Sequence, residues 1–235
     1  MFYSSRLARS PIASLVAVFG ASEVRASEGW IAASIGSLPR VKPFGQTVAS
    51  VTLIDEAFGP VYGQPSWLVR RGHGSFVTLE FGEPRLDVGE PKQRLHVFST
   101  KVHERLATRL VAVHGAWHLW IYCCAWRLTH PMRPLAHSGS RPQRIDRALA
   151  VLDGQALISV VVDADARTSF TFDLGCTLLT WPYDHQSEQW LLYEPDGRVL
   201  TVRADGRYSH DSSAIPAEDS QWHPLAPTGG LHLCG

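Results

Sequence analysis

Of the chain's 235 residues, 45% are hydrophobic and 19% charged, which is enough apolar material for a real core and too little charge for global disorder. The 22 basic and 22 acidic residues cancel, so no net field supplies affinity for a phosphate backbone or an anionic membrane, and this argues against nucleic-acid partners. No apolar run reaches the ~18–20 residues that a membrane helix needs.

The first residues allow two readings. Arg6 and Arg9 precede an apolar stretch, Ile12 to Ala21, and Val24-Arg25-Ala26 has small residues where a signal peptidase would cut. Residues 1–26 could therefore be a secretory or periplasmic leader. The apolar stretch is short and is broken by Ser14 and Gly20, so the expectation is a cytoplasmic protein with a partly disordered extension over residues 1–44. Cys123, Cys124, Cys176 and Cys234 form no CxxC pair, and read as reduced thiols used as small hydrophobes.

From residue 45 the chain looks duplicated. Gly45–Val51 (GQTVASV) matches Gly154–Val160 (GQALISV), and Ser75–Gly82 (SFVTLEFG) matches Ser169–Gly175 (SFTFDLG). Short apolar stretches follow in each half, Arg85–Val88 and Thr177–Thr180, and then tryptophan-led strands, Trp117–Leu128 and Trp190–Leu200. Self-similarity in this order predicts two β-units. The first spans 45–139 with an inserted loop at 90–113, where Val102, Leu106 and Leu110 have helical spacing. The second spans 154–212, and a tail follows over 213–235.

Within Ser75–Gly82, alternation places Phe76, Thr78 and Glu80 opposite Val77, Leu79 and Phe81, the period of a half-buried strand. A helix over 140–153 links the units. It has Ser140 as cap, Pro142 in its first turn, Gly154 past its end, and an apolar stripe of Ile145, Ala148, Leu149 and Leu152. Leu157–Val162 reads as a strand covered on both faces. In Thr168–Gly175 the residues Phe170, Phe172 and Leu174 share a face. Glu194-Pro195-Asp196-Gly197-Arg198 and Asp205-Gly206 are hairpin turns. The expected fold is mainly β (α+β), with antiparallel sheets from two similar β-units joined by a helix.

The chemistry concentrates in the histidine- and tryptophan-rich strand. On an unbroken strand His114 and His118 point the same way, with Trp120, Tyr122, Cys124 and Trp126 on a common face. His73, just ahead of the Phe76 strand, could add a third imidazole. Three imidazoles with an open position is catalytic-zinc chemistry, for which Glu80 would be the general base. Eleven histidines make chance pairs common, and ligand type does not establish ligand geometry. Cys124 as a nucleophile would need an electropositive, partly exposed setting, and two adjacent thiols in an apolar strand more often pack than react. Asp163, Asp165 and Asp173 form no calcium-loop pattern. No catalytic residue is assigned. Trp181, Tyr183 and Trp222 could form a partner surface, since Trp and Tyr dominate interface hot spots, or could simply cover the edge of the core.

Two stretches, Gly72–Gly82 (GHGSFVTLEFG) and Trp117–Leu128 (WHLWIYCCAWRL), resemble a small bacterial β-rich family with no assigned activity. The second half is similar to short domains of unknown function built on a Leu-x-Gly…Val…Phe-x-Phe…Gly…Leu strand series, some of which occur near toxin loci. The resemblance covers residues 63–210 and carries no catalytic residues. The expectation is a non-enzymatic, cofactor-free binding protein of the immunity-protein kind, with a partner such as a toxin. The alternative is a metal-dependent hydrolase holding zinc on His73, His114 and His118.

Overall fold

Strand alternation and turn glycines lay out two antiparallel sheets in the computed structural model, which describes residues 48–91, 107–131 and 133–225. In chain order the elements are α1 (Val48–Phe58), β1 (Trp67–Arg71), β2 (Val77–Phe81), β3 (Arg85–Gly89), β4 (Leu110–His114), β5 (Trp117–Ile121), β6 (Ala125–His130) and β7 (Arg133–His137). Then come α2 (Pro142–Leu152), β8 (Leu157–Val162), β9 (Thr168–Phe172), β10 (Thr177–Trp181), β11 (Glu188–Tyr193), β12 (Arg198–Arg203), β13 (Arg207–Ser212) and β14 (His223–Pro224). The larger sheet has the order β1-β2-β5-β11-β12-β13-β14 and the smaller β7-β6-β10-β9-β8, while β3 and β4 form a separate ribbon. The mainly β, antiparallel α+β expectation holds.

Both large sheets take strands from both halves of the chain, and one apolar core lies between them. Leu79, Phe81, Leu119, Ile121 and Leu192 face inward from one sheet; Trp126, Leu128, Phe170, Phe172 and Leu178 face inward from the other. Phe58, Phe170 and Trp190 meet edge to face with centroids 5.7 to 6.1 Å apart, the arrangement that ring quadrupoles favour. The Trp190 indole N–H donates to Thr168 Oγ1 at 2.8 Å, tying the two sheets across the core. The opposite face of the larger sheet is also buried and holds a second cluster of Trp120, Leu191, Tyr193 and Val199.

Several sequence expectations are corrected here. Trp117–Leu128 is not one strand. The chain leaves the larger sheet at Tyr122, makes a tight turn in which Cys124 N–H donates to Tyr122 O at 3.0 Å, and enters the smaller sheet as β6. The turn resets the alternation, so Trp120 sits in the second cluster while Cys124 and Trp126 sit in the main core.

The first pair of matched segments does not share structure either, because Val48–Val51 begins a helix whereas Leu157–Val160 is strand. Leu110 opens β4 rather than a helix, and Val102 and Leu106 lie outside the described residues. Leu174 falls in an exposed turn beyond the end of β9. β8 is an edge strand with Ile158 half exposed, so it is not covered on both faces. Helix α2 spans the expected residues and buries Ile145, Ala148, Leu149 and Leu152, but its N-cap is Arg141 without a side-chain cap bond. The Ser140 hydroxyl instead accepts from His137 N–H at 3.0 Å, inside the preceding turn.

Candidate functional site

Alternation along β2 puts Glu80 on the face opposite Leu79 and Phe81, where an isolated carboxylate would be strongly penalised. The antiparallel register sets Glu80 directly across from His118 on β5. His114 ends β4, and the chain returns to β5 through Gly115 and Ala116. Gly115 is required there: a Cβ would stand 2.4 Å from Phe81 O and 2.7 Å from Phe81 N. That close approach brings the Gly115 N–H to 2.9 Å from Glu80 Oε2.

The other carboxylate oxygen collects both imidazoles. His118 Nδ1 lies 2.7 Å and His114 Nδ1 3.3 Å from Glu80 Oε1. The two rings meet edge to face at 5.2 Å, and His118 lies against the Tyr193 ring at 5.6 Å. Glu80, His114 and His118 are 0%, 1% and 3% exposed. Burial acts to raise the Glu80 pKa, but the bonds from His114 and His118, the His118 charge and the Gly115 amide outweigh it and bring the value down to about 2. An ionised carboxylate only accepts, so each Nδ1 carries a proton and donates. The lone pair of a neutral ring is then at Nε2, and His114 Nε2 is buried without a hydrogen-bond partner.

One ligand atom from each of Glu80, His114 and His118 can be chosen so that all lie within 4.8 Å of one another. Tetrahedral zinc at ~2.0–2.1 Å from nitrogen and oxygen ligands places those atoms ~3.3 Å apart. A metal held through both Nδ1 atoms would have to displace their protons and open the 2.7 Å contact, and its affinity would fall by the energy of those bonds. As it stands the cluster is a carboxylate satisfied by three donors. His73 is not part of it: it sits exposed in the β1–β2 turn, where its carbonyl accepts from Phe76 N–H at 3.2 Å. Glu80 occupies the centre of the cluster, where the sequence suggested a general base beside it.

The remaining candidates resolve one by one. Burial drives the Cys124 thiol upward, and its Sγ donates to Gln189 O at 3.3 Å, so it packs and does not ionise. Asp163 Oδ1 accepts from the amides of Asp165 and Arg167, and Asp173 Oδ1 from those of Ala156 and Leu174; both carboxylates stabilise turns.

Trp181 and Tyr183 lie at the start of the loop of residues 182–187, and Trp222 is linked to its far end through Arg203. Tyr183 is 65% exposed. At the far end of the loop Ser187 O accepts from Ala204 N–H, and Arg203, paired in register with Glu188, stacks on Trp222 at 4.2 Å. Trp181 in turn lies under the Arg127 guanidinium at 5.7 Å.

Sequence reasoning missed what holds this loop. Asp184 accepts from Gln186 N–H at 2.8 Å, Ser187 N–H at 2.7 Å and the Ser187 hydroxyl at 2.5 Å. Burial would raise its pKa, but these donors hold it below the usual carboxylate range. An Asp three residues before a Ser between two strands was the available signal. No protein-family model, curated protein or solved structure matches the chain, so the resemblance drawn from 72–82 and 117–128 rests on those residues alone.

Proposed function

We propose that this chain is a non-enzymatic protein-binding module of the immunity-protein kind, and that it presents the 182–187 loop and its aromatic border to another protein, such as a toxin. The observation that carries the reading is the preorganised loop. Asp184 fixes the backbone before any partner arrives, which lowers the ordering cost of association. Tyr183 supplies an exposed aromatic anchor, and Trp181 and Trp222 flank it with stacked arginines, the residue types that dominate hot spots. The acid–histidine cluster is interior scaffolding in this account. The reading places the protein in the cytoplasm, where reduced Cys123, Cys124 and Cys176 are the ordinary state.

The test is affinity capture from the native host with the full chain as bait, run in parallel with Tyr183→Ala and Asp184→Ala. A specific protein retained by the wild type and lost from both variants is expected. A captured protein retained equally by all three baits would contradict the assignment of the surface. The second reading, a zinc-dependent hydrolase, is favoured by the unpartnered Nε2 of buried His114. It predicts stoichiometric zinc that disappears with His114→Ala.

A further inference from the structure

The balanced net charge conceals a strong local asymmetry. Helix α2 packs along β7 at an edge of the smaller sheet, and between them runs an open groove of 880 Å³. Arg133, His137, Ser140, Arg141, Arg144 and Arg147 line it, and no carboxylate does. Six described arginines outside the groove are neutralised locally: Arg71, Arg85, Arg109, Arg198, Arg203 and Arg207 each have an Asp or Glu within 4 Å. Among the described residues no carboxylate pairs with the groove arginines. Asp146, within the same helix, is bound to Arg71 at 3.0 Å.

Two of these cations are held in place. Arg144 Nε donates to Leu135 O at 2.7 Å and Arg147 Nε to Gln143 O at 3.1 Å, which anchors each guanidinium by its inner edge and leaves the terminal nitrogens to bind something else. His137 Nδ1 accepts from Gly139 N–H at 3.1 Å, so a neutral His137 carries its proton at Nε2 as a donor. The turn from His137 to Ser140 is closed by two further bonds, His137 N–H to Ser140 Oγ and Ser140 N–H to His137 O. Helix α2 also begins here, with no side chain capping its first turn, and its N-terminal partial charge adds to the positive field. Arg144 and Arg147 lie three residues apart on the helix with Arg141 at its N-cap, and like charges so placed repel and destabilise a helix. Stability therefore does not explain the arrangement.

We infer that the groove binds a small ligand carrying two or more phosphates, either a nucleotide's phosphate chain or an inorganic polyphosphate. Planar guanidinium groups match phosphate oxygens two at a time. The groove falls within the ~300–1,000 Å³ typical of small-ligand sites. The inference is independent of the protein-binding surface, which lies around residues 182–187.

The test titrates tripolyphosphate, ATP and a short single-stranded oligonucleotide into the full chain by calorimetry at physiological salt. It is repeated on Arg141→Glu, on Arg133→Glu, and on the exposed control Arg167→Glu. Saturable binding of tripolyphosphate or ATP is expected, weakened at least about tenfold, which is about 1.4 kcal/mol, by each groove variant and unchanged in the control. Equal affinity for the two ligands identifies the inorganic chain as the recognised part, and tighter ATP binding adds the nucleoside. Absence of binding to both, equal binding by wild type and groove variants, or binding of the oligonucleotide alone would each overturn the inference. Arg133 and Arg141 are both exposed and lie on different elements, β7 and the N-terminus of α2, so misfolding of one variant leaves the other informative.

Discussion

Replacing Glu80 by Gln removes one charge from the interior while keeping the shape of the side chain. The glutamine carbonyl can accept from the two Nδ1 donors or from the Gly115 amide, but its NH₂ then faces whichever donors are left. A buried donor without an acceptor costs ~1–3 kcal/mol, and breaking a buried charged pair by removing one partner costs ~3–5 kcal/mol. Linkage gives a comparable figure. Depression of the Glu80 pKa from 4.5 to about 2, at about 1.4 kcal/mol per pH unit, corresponds to about 3 kcal/mol. We expect Glu80→Gln to lose about 3–5 kcal/mol in urea denaturation at neutral pH, a large share of the ~5–15 kcal/mol usual for a domain.

The sign with pH follows from the direction of the shift. A carboxylate with a depressed native pKa contributes fully above its unfolded pKa, and the contribution is lost as pH falls from 4.5 towards 2. The wild-type and variant stability curves should therefore converge in acid. A variant within about 0.5 kcal/mol of wild type at neutral pH, or two curves that stay parallel down to pH 2, would refute the reasoning.

Gly115→Ala should destabilise the chain by more than ~3 kcal/mol, because the new Cβ meets backbone atoms of Phe81 and Trp117 at 2.4 to 2.9 Å; urea denaturation at neutral pH is the check. Phe58→Ala should cost ~3–5 kcal/mol by emptying the space beside Phe170 and Trp190, and thermal unfolding would show it as a clear drop in Tm. Cys124 and Cys176 are buried, and burial raises both thiols. Neither should react with a disulfide reagent at pH 8 until denaturant is added, and mass spectrometry of the labelled peptides would report it. Cys123, raised to about 11 mainly by burial, should react slowly in the native protein.

The local rules of the sequence reached far in some places and stopped abruptly in others. The faces of β2, the span of α2 and the turn at Gly197, with φ of 84°, were legible because alternation, helical spacing and Pro-Asp-Gly chemistry are all short-range. The break at Tyr122–Cys124 was not, since no Gly or Pro marks it and both flanks are apolar; only the need to pass between two sheets explains it. Apart from Ala49, the opening of helix α1, Val-Ala-Ser-Val-Thr, consists of weak helix formers, and burial of Ile54, Ala57 and Phe58 overrides that preference.

The pairing of His114 with His118 came from spacing within one segment. Their common partner lies 34 and 38 residues earlier, and the β2–β5 register that joins them is a long-range property. The sequence offers Glu80 as a general base beside the imidazoles, but its central position cannot be read from one strand alone. Net charge likewise gave no hint of the arginine groove, because the compensating carboxylates lie on other surfaces.

Whether the Glu80–His114–His118 cluster is closed upon itself or holds a metal decides between scaffolding and catalysis. Elemental analysis of the full chain, purified without chelators, tests this most directly. The account predicts zinc far below one atom per chain, with no change on His114→Ala or His118→Ala. One zinc per chain that vanishes in both variants would contradict it.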